Sequence, residues 1–392
     1  MREMDGAMIE SRYEGRMDAP SPPSRPPELT RSERRLLGLL FRRGGATQAA
    51  LIEATDLTQQ SVSRLVGGLA AQGMVVFGEK AGLGKRSYPS TLVHLAPDHT
   101  YGLGVAVMAD AVALAAVDFA GKVRFERKAR MGAMPVAKVL AWTDAALAEA
   151  AGALGRPLGT LAGLGISVAG SFIGDAPGFN TPHSLEEWAG LDVARLFSER
   201  YALPAFAEND GSAAAMAEAM IGVGRWAKSF AYLYLGAGVG GGVVLDGELW
   251  RGRFGNAGEF AGGLPGNIYP FPNLELLRLI VAQGGQRFDT VDEMIEAYDP
   301  SWPAIDEWIA RVRDSLSIIA SNATAILDLE AIVIGGRTPP DLARRMIGHI
   351  ELFDQKRRLA PRPTARLVPS EAPGEAAAIG AAMLPLRAVY LS

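Results

Sequence analysis

The chain has 392 residues, 48% of them apolar and 21% charged, more than one hydrophobic core accommodates, which predicts two or three globular domains. It contains no cysteine, which excludes a disulfide framework, a thiol nucleophile and a cysteine-ligated zinc or iron–sulfur site. The net charge of -4 is unevenly spread: residues 31–95 carry nine Lys/Arg against four Asp/Glu, whereas residues 96–392 carry 26 against 33. A small basic module ahead of a large acidic body suits a nucleic-acid reader joined to a part that does not touch nucleic acid, the plain alternative being chance variation of surface charge.

No window approaches the roughly 18 uninterrupted apolar residues of a membrane span, and no basic stretch leads into an apolar one at the N-terminus. The expected compartment is the cytoplasm, without a membrane partner. His94, His99, His183 and His349 are too far apart in sequence to suggest a local metal motif, and no resident metal or cofactor is expected.

Residues 1–29 are polar, with prolines at 20, 22, 23, 26 and 27, and such a composition is expected to form a disordered leader. From residue 30 the pattern changes. Leu36, Leu37, Leu39, Leu40 and Phe41 make a helical apolar stripe over residues 32–43, stopped by Gly44-Gly45. Thr47 is placed to cap a second helix over 48–55, and Thr58 a third over 59–72, with Val62, Leu65, Val66 and Leu69 on one face and Gly73 past its end. Two strands, 74–77 and 91–95, flank a glycine-rich basic loop.

Three helices followed by a two-stranded wing predict a winged helix-turn-helix over residues 30–97. In that geometry the third helix enters the major groove by its N-terminal half, presenting Thr58, Gln59, Gln60, Ser63 and Arg64. Gln pairs with adenine, Arg with guanine or phosphate, and Ser with phosphate. Lys80, Lys85 and Arg86 on the wing would follow the phosphate backbone. A solvated helix face is the plain alternative for each polar residue taken singly. The stretch resembles MarR-like and ROK-type winged regulators over about 65 residues, TQQSVSRLV being its most specific part.

From Tyr101 the sequence GLGVAVMADAVALAAVDFAGKV reads as a hairpin turning at Ala120-Gly121. A helix over 135–153, the strand LAGLGISVAG and a helix over 191–201 follow; later come the glycine-joined strands of FAYLYLGAGVGGGVVLDGELWRG and the buried strand EAIVIGG. The order is mixed α/β with two similar beginnings.

GLGISVAG at 163–170, AENDGSAAAMAEAMIGVGR at 207–225, LGAGVGGGVVLDGELWRGRFGNAGE at 235–259, IVIGG at 332–336 and GAA at 380–382 together resemble the ROK family over nearly all of residues 100–390. That resemblance implies a two-lobed actin-like (ribonuclease H-like) ATPase fold. One lobe would span 98–221, completed by 375–392, and the other 222–374. ROK members include both sugar kinases and repressors, so the fold does not settle the activity.

By the resemblance, Asn209 and Asp210 occupy the positions of a sugar-binding Asn and of the kinase base. Glu259 stands for the glutamate of GExGH, Glu275 for a sugar-binding Glu, and Asn180 lies in the loop over the sugar. Each is otherwise an ordinary loop or cap residue. Three departures stand out. Ala106, Met108 and Asp110 replace the phosphate-binding DxGxT, which argues against ATP binding, since Asp110 would repel phosphates. PGNIYPFPN replaces the family's zinc segment. Gly262 replaces the His of GExGH; His183 is a candidate to enter the cleft or a surface-loop residue.

The leading expectation is a sugar-responsive transcriptional regulator, a repressor with a catalytically inactive kinase-like body. Its partners would be double-stranded operator DNA and a carbohydrate effector, and it would act as a homodimer or a dimer of dimers. A bifunctional sugar kinase, or a body serving only dimerisation or protein docking, are the alternatives. The apolar stripes at 274–281 and 318–327 fit either a dimer surface or lobe core.

Overall fold

The computed structural model describes residues 28–81, 90–174, 177–353 and 363–391. The expected leader up to residue 27 and the wing residues Lys85 and Arg86 lie outside them.

Helix α1 (Arg31–Arg43) starts at a reciprocal cap, in which the Thr30 hydroxyl accepts the Glu33 N–H at 3.2 Å and the Glu33 carboxylate accepts the Thr30 N–H at 2.8 Å. It ends at Gly44, whose φ of 65° is left-handed, as the Gly-Gly pair predicts. Strand β1 (Ala46–Thr47), α2 (Gln48–Glu53), α3 (Gln59–Ala71), β2 (Val75–Ala81) and β3 (Ser90–Leu95) complete the module, its sheet ordered β1-β3-β2.

The body opens with the meander β4 (Tyr101–Val107), β5 (Ala111–Asp118) and β6 (Val123–Arg130). The single hairpin read over 102–123 is therefore wrong in one respect: the chain turns twice, first at Met108–Asp110. No glycine, proline or asparagine marks that turn, because tertiary contacts fix it. Asp110 accepts the Asp292 N–H at 3.1 Å and is ion-paired to Arg337, both remote in sequence.

Next come α4 (Val136–Leu154), β7 (Gly163–Val168), the short ribbon β8 (Ser171–Phe172) and β9 (Phe179–Asn180), α5 (Val193–Tyr201), β10 (Ala205–Asn209) and α6 (Asp210–Ile221). The second half repeats the plan with β11 (Phe230–Leu235), β12 (Val239–Leu245) and β13 (Glu248–Trp250), then α7 (Leu274–Gln283), α8 (Val291–Glu296) and α9 (Pro303–Leu327). It ends with β14 (Ala331–Gly336), α10 (Pro340–Ile347), β15 (Arg366–Pro369) and α11 (Ala376–Val389).

The two five-stranded sheets, ordered β10-β7-β4-β5-β6 and β13-β12-β11-β14-β15, have one topology: an antiparallel meander whose first strand continues into two parallel strands. The two similar beginnings read in the sequence are these meanders. Alanine-rich α11 lies buried between the first sheet and α6, and Gly380 lets it pass so close to Ala213 that no Cβ would fit.

The winged module is docked on this body. Phe41 packs against Gly121 and Ile221, Arg34 Nη1 donates to the Ala388 carbonyl at 2.9 Å, and one buried apolar cluster runs from Leu37 through Ile221 to Leu386. In α7, Leu274, Leu277, Ile280 and Val281 are core, whereas α9 leaves Ile326 78% exposed near its end.

Candidate functional site

Burying Val62, Val66 and Leu69 turns the opposite face of α3 outward, and Thr58, Gln59, Gln60, Ser63 and Arg64 are all exposed on it. Thr58 caps the helix, its hydroxyl accepting the Ser61 N–H at 3.3 Å. Four groups able to meet base edges or phosphates thus share one solvent-facing surface. Lys80 lies in β2 opposite Thr91, with a bulge between Phe77 and Lys80.

The body holds a cavity of about 410 Å³ between its two halves. Asn180, Asn209, Asp210 and Glu259 line it together, although they come from three separate segments. Asn209 ends β10 and caps α6: its side-chain oxygen accepts the Ser212 N–H at 3.0 Å and its amide donates to the Gly170 carbonyl at 2.5 Å. Next along, the Asp210 carboxylate accepts the Gly211 N–H at 2.8 Å; burial, aided by Glu259, pushes it up to about 7.

Glu259 follows Gly258, whose φ of 106° and close approach to Gly241 only a glycine allows, and burial raises its carboxyl as well. Asn180 stays exposed at the rim, its strand paired with Ser171. The loop before Glu259 is pinned to the other half twice. Asn256 accepts the Phe172 N–H at 2.7 Å, and Arg251 pairs with the buried Glu208 at 2.6 Å.

Glu275 does not join this set. It is partly exposed on α7, paired with Arg278 at 2.6 Å, and does not line the cavity. The i, i+3 spacing on one helix supplies that partner locally, which a positional match could not reveal. His183 is on the surface beside Glu186, its side chain 96% exposed. Gly262 is exposed, and a Cβ there would meet nothing within 4 Å. The PGNIYPFPN segment is tied down by α9: Trp308 donates to the Asn273 carbonyl at 3.1 Å and Ser315 to that of Pro270 at 2.6 Å.

Sequence reasoning missed the residues closing the far end of the cavity, Tyr234 and Arg337. Arg337, directly after the glycines of β14, is buried with one guanidinium nitrogen on Asp110 and another on Asp292. Lys128 of β6 also meets Asp292 and lies 3.5 Å from Glu375. Burial alone would raise the Asp292 carboxyl, but Lys128 and Arg337 hold it below the usual range. The Asp110 expected to repel phosphate is thus ion-paired to Arg337, and the turn that the resemblance aligns with DxGxT carries an internal ion pair. An arginine after a glycine-ended strand was the only sequence signal.

Comparison with known proteins agrees with this organisation. The ROK family profile matches residues 102–265 and that of the MarR family residues 28–87. An uncharacterized protein of Sinorhizobium fredii, y4fQ, is 30% identical over 371 residues, covering 92% of this chain and 91% of its own. A xylose repressor of Caldicellulosiruptor bescii is 25% identical over 74% of this chain and 79% of its own. Among solved structures, a ROK family transcriptional regulator described as a homolog of the E. coli MLC protein aligns over 92% of this chain and 96% of its own, with a TM-score of 0.62 and 18% identity. A ROK family glucokinase from Streptomyces griseus, in complex with glucose and AMPPNP, aligns over 72% and 98%, with a TM-score of 0.60 and 21% identity. With both modules and nearly the whole length accounted for, the chain belongs to the ROK family and carries a MarR-type winged helix-turn-helix ahead of its ROK domain.

Proposed function

We propose that this ROK-family regulator represses carbohydrate uptake or catabolism genes, binding operator DNA through α3 and its wing and a sugar through the cavity between the lobes. The observation that carries the reading is the pairing of an outward helix face bearing Gln59, Gln60, Ser63 and Arg64 with a cavity gathering Asn180, Asn209, Asp210 and Glu259. Carboxylates and amides from both sides of a cleft suit vicinal hydroxyls. A ligand touching both sides binds one lobe arrangement better than another, which is the differential interaction a switch requires. The Caldicellulosiruptor bescii relative, a xylose repressor, supports the repressor sense and a carbohydrate effector.

Two such modules, related by a two-fold axis and reading a pseudo-palindrome, would give a more selective address than one. We infer a homodimer, checked by a mass measurement in solution with and without DNA. The body is proposed to be inactive as a kinase: Ala106, Met108 and Asp110 stand where the family resemblance places the phosphate-binding DxGxT, Asp110 is ion-paired to Arg337, and phosphoryl transfer depends on positioned phosphates. Asp210, poised near 7, favours the kinase alternative, since it could accept a hydroxyl proton. Turnover of ATP with a sugar, abolished in Asp210→Asn, would establish the kinase. Calorimetry of the full chain against mono- and disaccharides and ATP tests the sensor: a sugar should bind and ATP should not.

A further inference from the structure

We propose that the junction between the winged module and the body is a binding site for a small phosphate-class anion. A crevice of about 680 Å³ opens there, lined by cations from three separate segments: Arg42 and Arg43 at the end of α1, Lys122 in the β5–β6 turn and Arg225 just after α6. Its apolar walls include Phe41 and Ile221, and no carboxylate lines it.

The crevice gathers four cations without a counter-charge, on a body that is acidic as a whole. Several other arginines of the body sit on carboxylates, as in Arg124–Asp118, Arg127–Glu149, Arg200–Asp144 and Arg251–Glu208. Among the described residues no carboxylate pairs with Arg42, Arg43, Lys122 or Arg225, and the one side-chain hydrogen bond in the group is Arg43 to the Ala50 carbonyl, at 3.3 Å. Burial and the neighbouring Arg43 hold the Arg42 guanidinium below its ordinary value. Like charges gathered without a partner repel, and a bound dianion reverses the sign of that interaction.

Guanidinium and ammonium groups converging from several directions match the tetrahedral oxygens of phosphate, Arg offering paired donors and Lys a point charge. The crevice is walled by the module on one side and the body on the other, a concave shape that suits a small anion better than the convex edge of a duplex. An anion held there bridges α1 to the body, so it would favour the docked orientation of the reading module and act as an input separate from the sugar cavity.

The test is calorimetry of the full chain with inorganic pyrophosphate at constant ionic strength, for the native sequence and for Lys122→Ala combined with Arg225→Ala. Both side chains are exposed, so the variant keeps its thermal midpoint. One pyrophosphate per chain is expected, bound at least tenfold more weakly by the double variant, the loss of charge-assisted contacts being worth about that factor or more. No uptake by the native chain, or equal uptake by the variant, overturns the proposal. In parallel, the salt dependence of duplex binding is compared. If the substitutions flatten it by about two phosphate equivalents while pyrophosphate fails to bind, the cations belong to the DNA interface and the small-anion site is wrong.

Discussion

The guanidinium of Arg337 holds the carboxylate of Asp110 across 227 residues of sequence, linking the β4–β5 turn of one half of the body to the end of β14 in the other. With Asp292 and Lys128 it makes a buried charged clasp. Removing one member leaves uncompensated charge in a low dielectric, so Arg337→Ala should lower unfolding free energy by about 3–5 kcal/mol. Chemical denaturation measures it; a loss below about 1 kcal/mol would mean that the clasp is not formed in solution.

Asp210 gives a pH signature. Its carboxyl stands at about 7, raised mainly by burial from an ordinary 3.8. Between those values the folded chain binds more protons than the unfolded one, so stability contributed by the neutral form is lost as pH rises towards 7, then levels off. Asp210→Asn keeps an acceptor for Gly211 and removes the titration. Urea unfolding at about pH 5 and about pH 8 should show the native chain losing up to a few kcal/mol relative to the variant. Parallel pH profiles would refute the raised carboxyl.

Much of the winged module was legible because short-range rules govern it: Thr47 and Thr58 cap their helices, and Gly44 ends α1. Asn209, Asp210 and Glu259 were legible from the company of their motifs, and the cavity does gather them. The turn at Met108–Asp110 and the clasp that fixes it were not, since residues 110, 292 and 337 meet only in the folded chain. Glu275 failed for the opposite reason, a local partner in Arg278 claiming it.

On the proposed DNA face, substitutions should separate address from adhesion. Gln59→Ala or Gln60→Ala is expected to change the preference at one base pair by roughly 1–3 kcal/mol, read from binding to a set of operator variants. Replacing Lys85 and Arg86 with Ala should weaken binding to all sequences and flatten its salt dependence by about two. An unchanged slope would remove the wing from the interface.

Gly262 is a vacant position in a steric sense, with nothing within 4 Å of a Cβ built there. Gly262→His should therefore change stability by no more than about 0.5 kcal/mol. Its effect should appear instead in calorimetric affinity for sugars, as a gain from one added hydroxyl contact. A large loss of stability would mean that the loop around Gly262 packs differently.

The most direct measurement follows fluorescence anisotropy of labelled operator DNA with and without the sugar that binds the chain, for the native sequence and Asp210→Asn. The expected result is a tenfold or greater change in operator affinity on adding sugar to the native chain, with the variant binding the operator equally well and not responding. An Asp210→Asn chain that still responds at the same sugar concentration would contradict the assignment of the cavity as the effector site.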